Sequence, residues 1–172
     1  MPVSAGKDRA AWRARREERR AKQRAQNIVR AQAMHVARLR YESGPSAPVE
    51  PRLTQTQRAY IGCSGWYYWH WRECFYPEGV PSSRWFDYYA SKFDTVELNA
   101  PFYSWPTLAT VSTWKRQAGR RRFVYTVKAN ELITHTRRFT RTATLVKDFG
   151  LIADLLGARF GCFLFQTPPS LH

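Results

Sequence analysis

From Tyr60 to the end, short apolar runs alternate with segments whose apolar residues recur every three or four positions. Tyr60-Ile61-Gly62-Cys63-Ser64-Gly65, an apolar run ending in small residues, predicts a first strand. An irregular aromatic loop follows, Trp66-Tyr67-Tyr68-Trp69-His70-Trp71 and then Phe75-Tyr76-Pro77. Ser82 or Ser83 caps a predicted helix through Trp85, Phe86, Tyr88, Tyr89 and Phe93. Asp94-Thr95-Val96-Glu97-Leu98-Asn99 predicts the second strand. Thr107 opens a helix through Leu108, Val111 and Trp114 that stops near Gly119. Phe123 to Lys128 predicts the third strand, and Thr142 to Leu156 a helix with Leu145, Phe149, Ile152, Leu155 and Leu156 on its apolar face. Gly157 ends that helix, Gly161 to Gln166 predicts a fourth strand, and Pro168-Pro169 forbids its continuation.

Alternating strands and helices imply parallel strands joined by helical crossovers. Strands two to four are apolar at most positions, as in a sheet covered on both faces. Polar residues gather toward their C-terminal ends: Glu97 and Asn99, Lys128, Gln166. Those ends lie on one rim of a parallel sheet, where such folds place their sites. A closed barrel and a doubly wound open sheet both fit the alternation. An open sheet usually carries a Gly-rich phosphate turn after strand one, whereas this chain runs into bulky Trp and Tyr, which favours the barrel.

The N-terminal third differs in kind. Before Ala59 there are 14 Lys/Arg against 5 Asp/Glu, part of a net charge of +15, and the only aromatic residues are Trp12 and Tyr41. Arg9 to Arg40 contains good helix formers and no Gly or Pro, so helix is the expected local state. Its apolar residues (Trp12, Ile28, Val29, Met34, Val36, Leu39) are too sparse for a continuous core-facing stripe, which predicts a solvated extension. The alternative is an arm that seeks RNA or phosphate through Arg13 to Arg16 and Arg19-Arg20, a patch that Glu17 and Glu18 interrupt. Ser43 to Arg58, with prolines at 45, 48 and 51, reads as a linker. The expected organisation is a basic, partly helical or disordered extension over 1–42, a Pro-rich linker over 43–58, and an α/β domain over 59–172. Met34 is the only internal methionine and an alternative start.

The three cysteines, Cys63, Cys74 and Cys162, show no metal or redox spacing. Two of them lie in apolar runs, where a free thiol behaves as a small buried hydrophobe. With no secretory signal and no stretch of roughly 18 apolar residues, the expectation is a cytoplasmic protein without a membrane partner.

Several stretches, in order, resemble the YecE-like family, also called domain of unknown function 72. They are Tyr60 to Trp66, Trp71 with Phe75-Tyr76-Pro77, Phe93 to Asn99 followed by Phe102-Tyr103, Phe123 to Lys128, Ile133-Thr134-His135, and Leu164 to Ser170. The resemblance covers Tyr60 to the end. It implies a TIM-barrel fold and a bacterial-type cytoplasmic protein, and no established reaction. A whole barrel of this type takes about 250 residues, so 59–172 corresponds to its first half, a partial (β/α) barrel of about four strand–helix units. The expectation is a truncated chain, in preference to self-association through exposed strand edges or pairing with a complementing half-barrel. The leader lies outside the family pattern.

Candidate chemistry sits on the rim. Glu97 and Asn99 share one face of strand two, and Glu97 beside Lys128 would form a coupled pair. Glu97 would act as general base and Lys128 would stabilise an oxyanion or bind phosphate; the alternative is an ion pair that merely fills the barrel's upper layer. His135, on a polar loop after strand three, is a proton shuttle, a metal ligand or an ordinary surface histidine. Gln166 hydrogen-bonds a ligand or neighbouring backbone. Trp66, Tyr68, Trp71, Phe102 and Tyr103 stack on a flat ligand or pack as a lid. Arg137 and Arg138 attract an anion or are simply solvated. The chain has no Gly-x-Ser-x-Gly elbow, Walker loop, dinucleotide fingerprint or His-Glu-x-x-His, and no cofactor or metal is assigned. Two functions follow: a rim site for a small anionic or nucleotide-like ligand, or a non-catalytic protein that associates with nucleic acid through its Arg-rich leader.

Overall fold

A computed structural model describes residues 4–45 and 59–171. The leader forms one long helix, α1 (Ser4–Ser43). Then come β1 (Gly62–Cys63), α2 (Trp85–Tyr89), β2 (Thr95–Leu98), α3 (Ala100–Tyr103), α4 (Leu108–Ala118), β3 (Val124–Lys128), α5 (Ala143–Leu156) and β4 (Phe160–Leu164). The four strands form one parallel sheet in the order β1-β2-β3-β4. Except for its first three residues, the linker expected over 43–58 lies outside the described residues. No described helix is long and apolar enough to cross a membrane.

Local chemistry explains the boundaries. The Thr107 side chain accepts from the Thr110 backbone N–H, and Gly119, at φ 58°, closes α4 in a conformation that costs glycine little. The expected serine cap at Ser82 or Ser83 is not formed. Both residues lie inside a short 3₁₀ turn (Ser82–Arg84), and α2 ends at Tyr89, before Phe93. β1 keeps only two residues of the run from Tyr60 to Gly65. Gly62 is required there, because a Cβ would overlap the Thr95 carbonyl oxygen on the neighbouring strand.

The two faces of the sheet are unequal. Val96, Leu98, Tyr125 and Val127 are buried against the helices, together with Phe86, Val111, Phe149, Ile152 and Leu156. The alternate positions, Thr95, Glu97, Val124, Thr126 and Lys128, are only half-buried, and Cys162 is exposed. This corrects two expectations. One face of the sheet is open rather than covered, and Cys162 is not a core residue. Apolar content alone could not separate the faces, because Val occurs on both, Val96 and Val127 on the buried one and Val124 on the open one.

Between β1 and β2, the Tyr89 hydroxyl accepts from the Cys63 N–H at 2.7 Å and donates to the Thr95 carbonyl at 2.9 Å. A phenol thus joins the strand ladder. Burial pushes the Tyr89 hydroxyl pKa up, and does the same to Tyr125, whose hydroxyl donates to the Trp114 carbonyl at 2.9 Å. Burial, with a smaller contribution from Cys63, pushes Tyr76 up to about 12.

The leader is not wholly solvated. Ala11 to Lys22 are all exposed, but Asn27, Ala31 and Met34 are buried, and Ala31 and Met34 help form the core. Asn27, 0% exposed, donates to the Tyr103 carbonyl at 3.0 Å and accepts from the Trp105 N–H at 2.9 Å. Arg30 donates to the Ser104 hydroxyl. Farther along, Asp148 of α5 is 2% exposed and accepts from Arg38 Nε at 2.8 Å, while His35 Nδ1 lies 3.0 Å away. A carboxylate in that position is tolerable only with such partners. Hydrogen bonds to Asp148 and then Glu42 raise the Arg38 pKa above its ordinary value. The expectation of a leader too apolar-poor to pack fails because the seam is largely polar.

Asn27→Leu should destabilise the protein by about 2 kcal/mol or more in urea unfolding, since it strands a buried N–H and a carbonyl; exposed Arg19→Ala should change stability by less than about 0.5 kcal/mol. Unfolded tyrosine ionises near pH 10, whereas folded Tyr76, Tyr89 and Tyr125 keep their protons to higher pH. Their contribution to stability is therefore complete below about pH 10 and is lost as pH rises through the folded values. An ultraviolet titration should show these three of the nine tyrosines ionising late, together with unfolding.

Candidate functional site

Parallel register places Glu97 opposite Thr126 and Lys128 opposite Leu164. Glu97 and Lys128 therefore lie on the open face, one strand apart and two residues apart in height, about 8 Å between Cα atoms from ordinary strand spacing and rise. Among the described residues no ion pair joins them. Ser64 Oγ donates to Glu97 Oε2 at 3.3 Å, and Lys128 Nζ stands 4.9 Å from the centre of the Phe102 ring. The expected direct pair is absent because each charge is engaged locally, the lysine through a cation–π contact.

Phe102 organises the lip. Its ring also meets the His135 imidazole edge-on at 5.0 Å and Tyr103 at 4.9 Å. It reaches this position because the chain turns into α3 directly after β2, with Asn99 at the N-cap and Pro101 in the first turn. Lys128, Phe102, His135 and Tyr103 thus form one cluster at the C-terminal ends of β2 and β3. His135 sits in a π-helical turn (Leu132–Thr136) rather than an irregular polar loop. Its Nδ1 lies 2.8 Å from Thr134 Oγ1.

Asn130, absent from the sequence-based candidates, holds the cluster together. Fully buried, it donates to the Pro101 carbonyl at 2.7 Å and accepts from the Leu132 N–H at 3.0 Å. One amide therefore ties the end of β3 to α3 and opens the turn that carries His135. A polar residue just past an apolar strand was the available signal, but its partner is 29 positions away.

The remaining candidates divide. Tyr103 is 58% exposed at the lip, its ring edge-on to Phe102. Trp66 and Trp71 are half-buried in the aromatic cluster after β1, where Trp66 meets Phe86 at 5.0 Å and Trp71 meets Phe75 at 5.3 Å. Tyr67 and Trp69 are the exposed rings of that loop, at 53% and 62%. Gln166 lies two residues beyond β4 and is exposed. Beside the lip, a cleft of about 270 Å³ between α1, α3 and α4 is lined by Arg30, Ser104, Trp105, Thr107 and Thr110, among others. Trp105 Nε1 is buried there without a hydrogen-bond partner among the described residues. No group of three or more His, Cys, Asp or Glu side chains among the described residues could hold a metal ion.

The arrangement offers a cation and an imidazole at the lip, a carboxylate one layer below, and an exposed phenol ring beside them. Such a set can hold an anionic group above and a hydroxyl or N–H donor beneath. No curated protein and no solved structure matches the chain. A family model, "Protein of unknown function DUF72", matches residues 60–172, the stretch in which the YecE-like motifs occur, and leaves α1 outside it. The chain belongs to the DUF72 family.

Proposed function

We propose that the described domain is the first part of a TIM-type (β/α) barrel whose C-terminal rim binds a small anionic or nucleotide-like ligand. The unreversed strand order β1-β2-β3-β4 supports a barrel, since doubly wound sheets reverse direction at a switch point. The open face carrying Glu97, Thr126 and Lys128 is then the barrel interior, and the ends of β2 and β3 are its mouth.

The observation that carries the reading is the placement of Lys128 and Glu97 on one open face without pairing to each other. A carboxylate and an ammonium kept apart leave room for a ligand that carries complementary charge and donors. Lys128 and His135 take the anionic group, and Glu97, oriented by Ser64, accepts from a hydroxyl or amino group. Tyr103 supplies a flat surface for a ring, with Asn99 and Gln166 bordering the same edge. Trp66 and Trp71 serve by holding the first loop in place. The same placement suits Glu97 as a proton acceptor and Lys128 as the stabiliser of developing negative charge.

Calorimetric titration with adenosine monophosphate and with inorganic phosphate tests this. The intact protein should bind the nucleotide. Lys128→Ala should weaken binding by about tenfold or more, the loss expected when a charged hydrogen bond is removed. Glu97→Gln should weaken it less, and both variants should keep the parent circular dichroism. Normal binding by both variants, or no binding of either probe by the parent, contradicts the reading.

A further inference from the structure

The seam that docks α1 also fixes where its unsupported half points. Asn27 and Arg30 meet Tyr103, Ser104 and Trp105 at the sheet's C-terminal edge, while His35 and Arg38 meet Asp148 in the second turn of α5. Followed from Arg38 toward its N-terminus, α1 therefore climbs to that edge and continues past it. At 1.5 Å per residue, the stretch before Asn27 extends about 30 Å farther.

Helical periodicity then orients the charges. At 3.6 residues per turn, Asn27, Ala31, Met34 and Arg38 fall within an arc of about 60°. Arg13, Arg16, Arg20 and Arg24 lie on the same face, so that both sets together span about 80°. The surface that clamps the body below the edge becomes, above it, a stripe of four arginines facing the space over the mouth. Arg15 and Lys22 occupy the opposite face, with Arg19 on the flank between, and Lys22 is paired with Glu18 at 2.7 Å. Glu17 borders the stripe and lowers its charge without breaking its line.

Trp12, 55% exposed, adds a ring to this face's margin, with the Arg16 guanidinium 5.3 Å from its centre. Where the stripe meets the body it runs into the cleft lined by Arg30, Ser104, Thr107 and Thr110, beside exposed Tyr103. Arginines crowded at three- and four-residue spacing repel one another, and this half of the helix has no packing to offset that. A polyanion along the stripe relieves the repulsion. Apart from alanines, Trp12 is the only apolar residue between Ala11 and Gln26, so the overhang lacks the apolar face that a membrane requires.

We infer that the N-terminal half of α1 is a binding arm for single-stranded nucleic acid, holding the strand over the C-terminal edge of the sheet. Guanidinium groups contact successive phosphates, and Trp12 and Tyr103 stack on bases.

Fluorescence anisotropy on the full chain tests the inference with labelled single-stranded RNA and DNA dodecamers, a duplex of equal length and poly-glutamate. A variant with Arg13→Gln, Arg16→Gln, Arg20→Gln and Arg24→Gln should lose about tenfold or more in strand affinity, and its salt slope should fall by about 2 to 3. A control variant that removes three charges off the stripe, Arg15→Gln, Arg19→Gln and Lys22→Gln, should lose less than about threefold. Equal losses in the two variants, or none in either, overturn the arm's orientation. Tighter binding of the duplex or of poly-glutamate overturns the choice of partner. Lys128→Ala separates this inference from the rim site: strand binding that survives it while nucleotide binding is lost leaves both standing. Strand binding untouched by the four-arginine variant defeats the arm alone.

Discussion

The burial of Asp148 beneath α1, and of Asn27 on the helix's own docked face, is the constraint on which the rest of the structure depends. A carboxylate that is 2% exposed in the second turn of a helix would be costly without Arg38 and His35, and the Trp105 N–H would be stranded without the Asn27 amide. These contacts link positions 76 to 113 residues apart. They join a segment outside the family's own stretch to the helical layer of the domain. The seam has few apolar side chains to slide on, and hydrogen bonds are directional, so it sets the helix in one register.

That register has consequences at both ends of α1. Toward the C-terminus the helix covers α5 and the α3–α4 connection, sharing Ala31 and Met34 with the core. Toward the N-terminus the same face continues as arginines beyond the sheet edge at which Lys128, Phe102, His135 and Tyr103 are gathered. The lip depends on a second buried amide, Asn130, which joins β3 to α3. Two asparagines, each serving two backbone groups, thus position the leader and the rim.

Much of the domain was legible from periodicity. The spacing of Leu145, Phe149, Ile152 and Leu156, and the Thr107 to Gly119 punctuation, anticipate α5 and α4 almost to the residue. Strands two to four are found within two residues at either end. The four-residue α3 and the π turn at His135 were not visible, because neither is long enough to show a period. The docking of α1 was hidden for a different reason. A search for apolar stripes passes over Asn27, Arg38 and Asp148, whose burial makes sense only once their distant partners are known. Glu97 and Lys128 share a face, as their alternation implies, whereas their separate partners, Ser64 and Phe102, depend on loop geometry that no local pattern encodes.

Amide hydrogen exchange along α1 tests the central claim most directly. If the polar seam makes the helix an integral part of the fold, residues 27–38 and the Trp105 amide exchange as slowly as the buried strands, while residues 11–22 exchange quickly. Uniformly fast exchange along all of α1, with Trp105 unprotected, would contradict it.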